Sequence, residues 1–258
     1  MARMVLLGVG TAVPDGDRGH THLVWDGPGG PFLVDAGGST YQRLLKAGLD
    51  PQKLQGIVLT HSHADHIGGL PLLLFSLSLV GRTEPVPVYG LEATLALSRK
   101  VVESFELEEH VAPVRWQPID AGNELALDGG WVVHTALNDH SRPCLALRFA
   151  HHTSGAALAY SGDTSPCQAV VDLARGAGVL VHEATVAGPW AGHTTPYEAG
   201  AVAAQAGVRH LVLVHFSPQW TMPEAQALEA VRGAGFAGRV DIGQEGQVIP
   251  VAGDTSDA

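Results

Sequence analysis

The sequence contains few cysteines, few charged residues and no long hydrophobic run. Its two cysteines among 258 residues, Cys144 and Cys167, are too few for a disulfide-stabilised scaffold, so we expect a reduced cytoplasmic protein. The most apolar stretch, residues 67–80, is interrupted by Gly, Pro and Ser and is too short to span a bilayer comfortably. We therefore predict no membrane segment. The first residues lack the cleavage site of a signal peptide, and we predict a β-strand there.

Positive charge is also scarce. The chain has 15 Lys and Arg residues against 26 Asp and Glu, which gives a formal net charge of −11. A surface that attracts nucleic acid over its whole extent needs the opposite sign. Hydrophobic residues make up 45% of the chain, enough for a buried core, and the length fits one α/β domain. Because we find no repeat or clear linker, we treat residues 1–258 as a single domain.

Histidine, by contrast, is abundant, with 14 residues. Three histidines and one aspartate occur within residues 61–66, directly after a predicted buried strand. Side chains at positions i and i+2 near a strand end project to the same side, so His61 and His63 can bind one metal ion. The following turn brings Asp65 and His66 towards a second. Imidazole with carboxylate suits Zn²⁺, with Mn²⁺ or Fe²⁺ as alternatives.

Further metal ligands are expected where other predicted strands end. His140 follows a strand that begins at residue 131, Asp163 follows a strand over residues 156–160, and His215 ends the strand that begins at residue 210. Asp163 and His215 reach the same edge as residues 61–66 if their strands are parallel. Each of these residues alone is a weak indication. Together with the first cluster they complete a set of ligands for two metal ions.

Eight motifs are distributed over nearly the whole chain. They are Leu7-Gly8-Val9-Gly10-Thr11-Ala12-Val13-Pro14, Val34-Asp35-Ala36-Gly37, residues 59–70, His140-Ser141-Arg142-Pro143, Tyr160-Ser161-Gly162-Asp163-Thr164, His182-Glu183-Ala184-Thr185, His193-Thr194-Thr195 and His215-Phe216-Ser217. In this order they resemble the metallo-β-lactamase superfamily and, within it, the ribonuclease Z (tRNA 3′-endonuclease) branch. The resemblance implies an α/β fold, a four-layer αββα sandwich with the site along one edge of its two sheets.

The resemblance also implies a metal-dependent hydrolase with two Zn²⁺ ions and a hydroxide held between them as nucleophile. The implied ligands are His61, His63 and His140 for one ion, Asp65, His66 and His215 for the other, and Asp163 bridging both. The family's second conserved pair matches Glu183 and His193. It implies that His193 is the general acid for the leaving group and that Glu183 orients it, while Asp65 can receive the proton of the attacking water. Asp35 is expected to position the metal-binding loop.

A small or cyclic phosphodiester is the substrate we expect. Ribonuclease Z proper carries a long insertion between its counterparts of His140 and Asp163, which forms an arm that grips tRNA, and residues 141–162 leave no room for it. The N-terminal loop, residues 14–19, carries two acids where the family has a basic loop, and the acidic net charge opposes RNA binding. Processing of the tRNA 3′ end is therefore the second choice.

Other readings of the same site remain open. An arylsulfatase, a lactonase or a thioesterase would share all seven ligands, so the ligand pattern does not separate them from a phosphodiesterase. A catalytically silent binding module is disfavoured because no ligand is missing. Relatives commonly form homodimers, and the apolar residues 70–80 are the candidate contact.

Overall fold

Two seven-stranded sheets form the centre of the computed structural model, which describes residues 2–106, 111–217 and 222–252. The first sheet has the spatial order Val248–Pro250 (β14), Arg3–Gly8 (β1), His22–Gly27 (β2), Gly30–Val34 (β3), Gly56–Leu59 (β4), Val86–Gly90 (β5) and Val114–Pro118 (β6). The second has the order Arg239–Ile242 (β13), His210–Val214 (β12), Val179–Glu183 (β11), Ala157–Tyr160 (β10), Leu145–His151 (β9), Trp131–Leu137 (β8) and Glu124–Leu127 (β7).

Helices cover the outer face of each sheet. They are Thr40–Lys46 (α1), Ala64–Ile67 (α2), Leu70–Leu79 (α3), Glu92–Glu103 (α4), Gln168–Ala174 (α5), Pro196–Ala206 (α6) and Glu224–Gly233 (α7). Helices α1, α3 and α4 pack on the first sheet, and α5, α6 and α7 pack on the second. Short 3-10 turns occur at Pro51–Lys53 and Asp128–Gly130. The predicted four-layer αββα sandwich is thereby confirmed.

The central strands are apolar on both faces because both faces are buried. In β1, for example, Met4 lies in the core between the sheets, while Val5 lies in the core under the helices of the first sheet. Between the sheets, the rings of Trp25 on β2 and Phe149 on β9 stack with their centroids 4.8 Å apart. This continuous core fixes the two sheets face to face and brings strand ends from both to one edge.

Three strands were not predicted, and all three lie at sheet edges. β6 and β14 are the outer strands of the first sheet, and β7 is an outer strand of the second. An edge strand is half exposed and carries polar residues, so it lacks the apolar run that marks a central strand. The sequence after α4 predicts less regular structure, and this prediction was wrong because β6 and β7 form there. The spacing of Thr195 and Glu198 in the sequence predicts a capping box that starts a helix, and α6 begins with this capping box.

The helices, the two cysteines and the exposed face of α3 bear on the expected location and assembly of the protein. No helix in the described ranges is long and apolar enough to cross a membrane. Cys144 and Cys167 are both free thiols, as expected, while the cytoplasmic location stays a prediction. Helix α3 exposes Leu72 and Leu79, at 55% and 67%, and the expected homodimer contact over residues 70–80 stays a prediction as well.

Candidate metal centre

Parallel strands deliver the predicted metal ligands to one edge of the sandwich. β10, β11 and β12 run parallel in the second sheet, as do β3 and β4 in the first. The condition for bringing Asp163 and His215 together is therefore met. The seven predicted ligands fall into two groups that share one residue: His61, His63, His140 and Asp163 in the first, and Asp65, His66, Asp163 and His215 in the second. A third group of side chains close enough to hold a metal ion joins His215 to Glu183 and His193. Within each group, one ligand atom from every residue lies within 4.8 Å of the others.

In the first group, three imidazoles converge nitrogen to nitrogen. His63 Nδ1 lies 3.0 Å from His61 Nε2 and 3.2 Å from His140 Nε2. His140 Nδ1 donates to the carbonyl of Gly192 at 2.8 Å, and His61 Nδ1 donates to the Thr60 hydroxyl at 3.1 Å. In the neutral rings both Nε2 atoms are then lone-pair acceptors. One N–H of His63 cannot satisfy two such acceptors well, whereas a cation placed among them would.

The second group contains buried polar atoms that have no hydrogen-bond partner. These are Nε2 of His66, Nε2 of His215 and Oδ1 of Asp163. The two nitrogens lie 3.4 and 3.2 Å from Asp163 Oδ2. Burial alone would raise the pKa of Asp163, but His215 and His66 hold that pKa well below its usual range. An ionised carboxylate among buried imidazole nitrogens is a donor set that fits divalent metal ions.

Asp35 holds the loop that carries the first cluster of histidines. Its carboxylate accepts hydrogen bonds from the Thr60 amide at 2.7 Å, from the Thr60 hydroxyl at 2.8 Å and from His66 Nδ1 at 2.8 Å. Asp35 is fully buried, so no water replaces these contacts. When the His66 ring is neutral, this hydrogen bond leaves Nε2 as its acceptor nitrogen. This geometry agrees with the positioning role expected from the sequence.

Backbone strain is concentrated at the same edge. Only three non-glycine residues in the described ranges have positive φ, and two of them are Asp35 and His215, both at 62°. Such a conformation costs about 1–2 kcal/mol for a residue with a side chain. Nearby, Gly37 has no room for a side chain, because a Cβ there would collide with the carbonyl oxygen of Asp65. Several strained or crowded positions thus serve to aim the ligands.

Replacing Asp35 by Ala is expected to weaken metal binding by about 10–100-fold, the usual cost of losing an orienting partner. The change would free the ring of His66 and remove an acceptor from the Thr60 amide. Competition with a zinc-binding chromophore measures the dissociation constant. Asp26→Ala, which removes a carboxylate paired with Arg3 far along the sheet, is the control. An unchanged metal affinity in Asp35→Ala would exclude the positioning role.

Glu183 and His193 form the predicted pair beside the second group. His193 Nδ1 lies 2.9 Å from Glu183 Oε1, and the ring of His193 stacks on that of His215 with centroids 5.6 Å apart. Burial lowers the pKa of His193, but the hydrogen bond and charge of Glu183 more than offset this and raise that pKa above its ordinary value. The pair can therefore hold a proton at the edge of the centre.

Glu183 is fully buried and also fixes the surrounding loops. It accepts hydrogen bonds from the backbone amides of Thr164 at 2.8 Å and Thr194 at 3.2 Å. The hydroxyl of Thr185 donates to Glu183 at 2.5 Å and accepts from His215 Nδ1 at 2.7 Å. Glu183 thus connects the proposed acid with a proposed metal ligand.

A cavity of about 500 Å³ opens over the centre. Its floor includes Asp163 and His215, and its wall includes Ala12, Val186 and Trp190. Among the described residues that line it there is no Lys or Arg. The space accommodates a small molecule, and any strong attraction for an anion would come from the metal centre itself.

The residues that orient the candidate ligands through the backbone or through a hydroxyl were not predicted. Gly192 accepts from His140 through its carbonyl, and Thr60 and Thr185 act through their hydroxyls. A carbonyl has no sequence signature, and Thr is too common to stand out. The wall residue Trp190 was also missed, although an aromatic residue in a Gly- and Pro-rich loop near His193 is a detectable signal.

Known proteins share both the sequence and the fold. Residues 31–216 match the family described as Beta-lactamase superfamily domain. A curated relative from Methanothermobacter thermautotrophicus, named Ribonuclease Z, is 30% identical to this chain. The alignment is 282 positions long and covers 90% of this chain and 92% of that protein. A protein of the same name from Mycolicibacterium paratuberculosis is also 30% identical and covers 95% of this chain and 96% of its own length.

Solved structures agree with these relatives. The short form of human tRNase Z superposes with a TM-score of 0.76 at 26% identity, over 97% of this chain and 99% of that one. The metallo-β-lactamase fold protein YhfI from Bacillus subtilis has a TM-score of 0.82 at 22% identity, over 97% of this chain and 100% of its own, which supports the fold alone. The chain therefore belongs to the metallo-β-lactamase superfamily, in its ribonuclease Z-like branch, and is a metal-dependent hydrolase.

Proposed function

We propose that the protein is a phosphodiesterase that binds two Zn²⁺ ions, with Mn²⁺ or Fe²⁺ as alternatives, and hydrolyses a small phosphodiester. The observation that carries this proposal is the sharing of Asp163 by two groups of converging ligand atoms, with the Glu183–His193 pair beside them. A pair of divalent cations supplies Lewis acidity for an anionic substrate and for the attacking water. Hydrolysis of a phosphodiester needs this Lewis acidity and also an acid that protonates the leaving oxygen.

Each residue of the centre has a proposed role. His61, His63 and His140 would hold one metal ion and Asp65, His66 and His215 a second, and Asp163 would contribute to both because it belongs to both groups. His193 donates a proton to the departing oxygen, and Glu183 keeps its ring in place through the 2.9 Å hydrogen bond. Asp65 is placed to receive the proton of the attacking water. Burial favours the neutral form of Asp65, but His215 and His66 lower its pKa strongly, so it is a weak base.

A small substrate is favoured over a polynucleotide for two reasons. β9 and β10 are joined directly by a short turn, so the segment between His140 and Asp163 forms a hairpin without an arm. The described lining of the cavity also lacks Lys and Arg, the side chains that neutralise a polyanion. The formal net charge of −11 works in the same direction.

The zinc-loaded protein is expected to hydrolyse bis(p-nitrophenyl) phosphate and to lose that activity when the metal is removed by a chelator. p-Nitrophenyl sulfate and an aryl lactone, assayed in parallel, test the other hydrolases that share the ligand set. Release of p-nitrophenolate and opening of the lactone are both followed by absorbance. Activity on the sulfate or the lactone without activity on the phosphodiester would overturn the proposal.

Cleavage of precursor tRNA is the second candidate, because the curated relatives at 30% identity are named Ribonuclease Z. At low salt, where electrostatic binding of RNA is strongest, we expect little or no cleavage of a 3′-extended precursor tRNA by this chain. Gel electrophoresis of the end-labelled RNA measures it. Cleavage more efficient than that of the aryl phosphodiester would replace the small-substrate proposal by the tRNA-processing one.

A further inference from the structure

Trp190 lies on the surface of the protein and not in its core. It lies in the loop between β11 and α6 and is 68% exposed, the highest value among the exposed large hydrophobic residues of the described chain. By comparison, Trp25 and Trp131 in the core are 1% and 6% exposed. The indole of Trp190 therefore adds little to packing. Its location on the wall of the cavity gives it access to whatever occupies the metal centre.

The loop that carries Trp190 is tied to the residues of the site. The backbone amide of His193 donates to the Trp190 carbonyl at 3.1 Å. Two residues after Trp190, the Gly192 amide donates to the Ser165 hydroxyl and the Gly192 carbonyl accepts from His140, both at 2.8 Å. The backbone at Trp190 is thus positioned by the proposed acid and by a proposed metal ligand. An exposed aromatic ring on a fixed backbone has the properties of a stacking surface.

The chemistry of the cavity wall indicates what stacks there. Ala12 and Val186 line the cavity together with Trp190, and the described lining contains no Lys or Arg. Resting on the proposed function, we propose that Trp190 determines specificity by stacking on an uncharged aromatic group, an aryl ring or a nucleobase, that is carried by an ester group of the substrate's phosphate. The phosphate occupies the metal centre while the aromatic group lies against the wall. Substrates whose ester groups carry no aromatic ring lose this contact.

Binding to the zinc-loaded protein tests this inference without any turnover. Phenylphosphonate is compared with methylphosphonate, and adenosine 5′-monophosphate with ribose 5-phosphate, by isothermal titration calorimetry. We expect the aromatic member of at least one pair to bind about 10-fold more tightly, in line with the usual strength of aromatic stacking. A preference in the first pair only identifies an aryl ring, and a preference in the second identifies a nucleobase. Trp190→Ala should abolish the preference, and Trp190→Phe should keep most of it.

Two further results separate this inference from its alternatives. Tyr197→Ala, which removes another exposed aromatic side chain, 55% exposed and outside the lining of the cavity, should leave the preference unchanged. Trp190→Ala should raise KM for bis(p-nitrophenyl) phosphate about 10-fold with little change in kcat. The inference is overturned if neither pair shows a preference, or if Trp190→Ala weakens both members of a pair equally. A protein that shows the preference but hydrolyses no phosphodiester would refute the proposed function alone.

Discussion

Replacing Asp163 by Ala is expected to remove at least one metal ion per chain and to lower kcat for bis(p-nitrophenyl) phosphate by about a thousandfold or more. Asp163 is the only residue common to both groups of ligand atoms among the described residues. Its Oδ2 lies 3.2 Å from His215 Nε2 and 3.8 Å from His61 Nε2, so its loss affects both sides of the centre. Elemental analysis of the purified variant gives the metal content, and a steady-state assay gives kcat.

The matched control for this prediction is Asp172→Ala. Asp172 lies on α5 with its side chain 59% exposed and pairs only with surface neighbours, Arg175 and Gln168. This variant should keep its full metal content and activity. Circular dichroism of Asp163→Ala separates metal loss at a folded site from unfolding. A folded Asp163→Ala variant that retains all of its metal would refute the bridging role.

Replacing His193 by Ala is expected to lower kcat by about 10²–10⁴-fold while leaving the metal content unchanged. His193 lies beside the candidate ligands, and its Nδ1 is hydrogen-bonded to Glu183. Its side chain is 21% exposed and lines the cavity. The loss should be largest for phosphodiesters whose leaving group is a poor one, such as an alkoxide, because these depend most on protonation. It should be smallest for p-nitrophenolate, which leaves without help.

His134→Ala controls for the loss of a His–carboxylate pair as such. His134 lies 3.2 Å from Glu124, and both side chains are exposed on β8 and β7, away from the cavity lining. Its replacement should change neither kcat nor metal content. A plot of log kcat against leaving-group pKa should be steeper for His193→Ala than for the unchanged protein. Parallel lines would show that His193 does not act as the acid.

The convergence of the candidate ligands could be predicted from sequence because these residues follow recognisable strands. Residues 61–66 come directly after the buried β4, and Asp163 and His215 come after β10 and β12, whose apolar runs are clear. Because parallel strands run in the same direction, their carboxyl ends lie at the same edge of the sheet. The capping box at Thr195 was readable for the same reason, since both of its partners are local.

The residues that hold the ligands could not be predicted in the same way. The partner of His140 is the backbone carbonyl of Gly192. Gly192 is distant in sequence, and every residue type has such a carbonyl. The edge strands β6, β7 and β14 depend on pairing with a neighbour and not on an apolar pattern of their own. Serine is a preferred N-cap residue, but the side chain of Ser39 before α1 forms no capping hydrogen bond, and the Thr40 hydroxyl donates to the Gly37 carbonyl instead. Local preference was outweighed here by tertiary contacts.

Metal titration of the unchanged protein tests the central claim most directly. Zinc is added in known amounts to chelator-treated protein, and bound metal and turnover of bis(p-nitrophenyl) phosphate are measured on the same samples. Two groups of ligands sharing Asp163 predict saturation at two zinc ions per chain, with full activity only when both are bound. Saturation at a single ion, or full activity with one ion bound, would contradict the account.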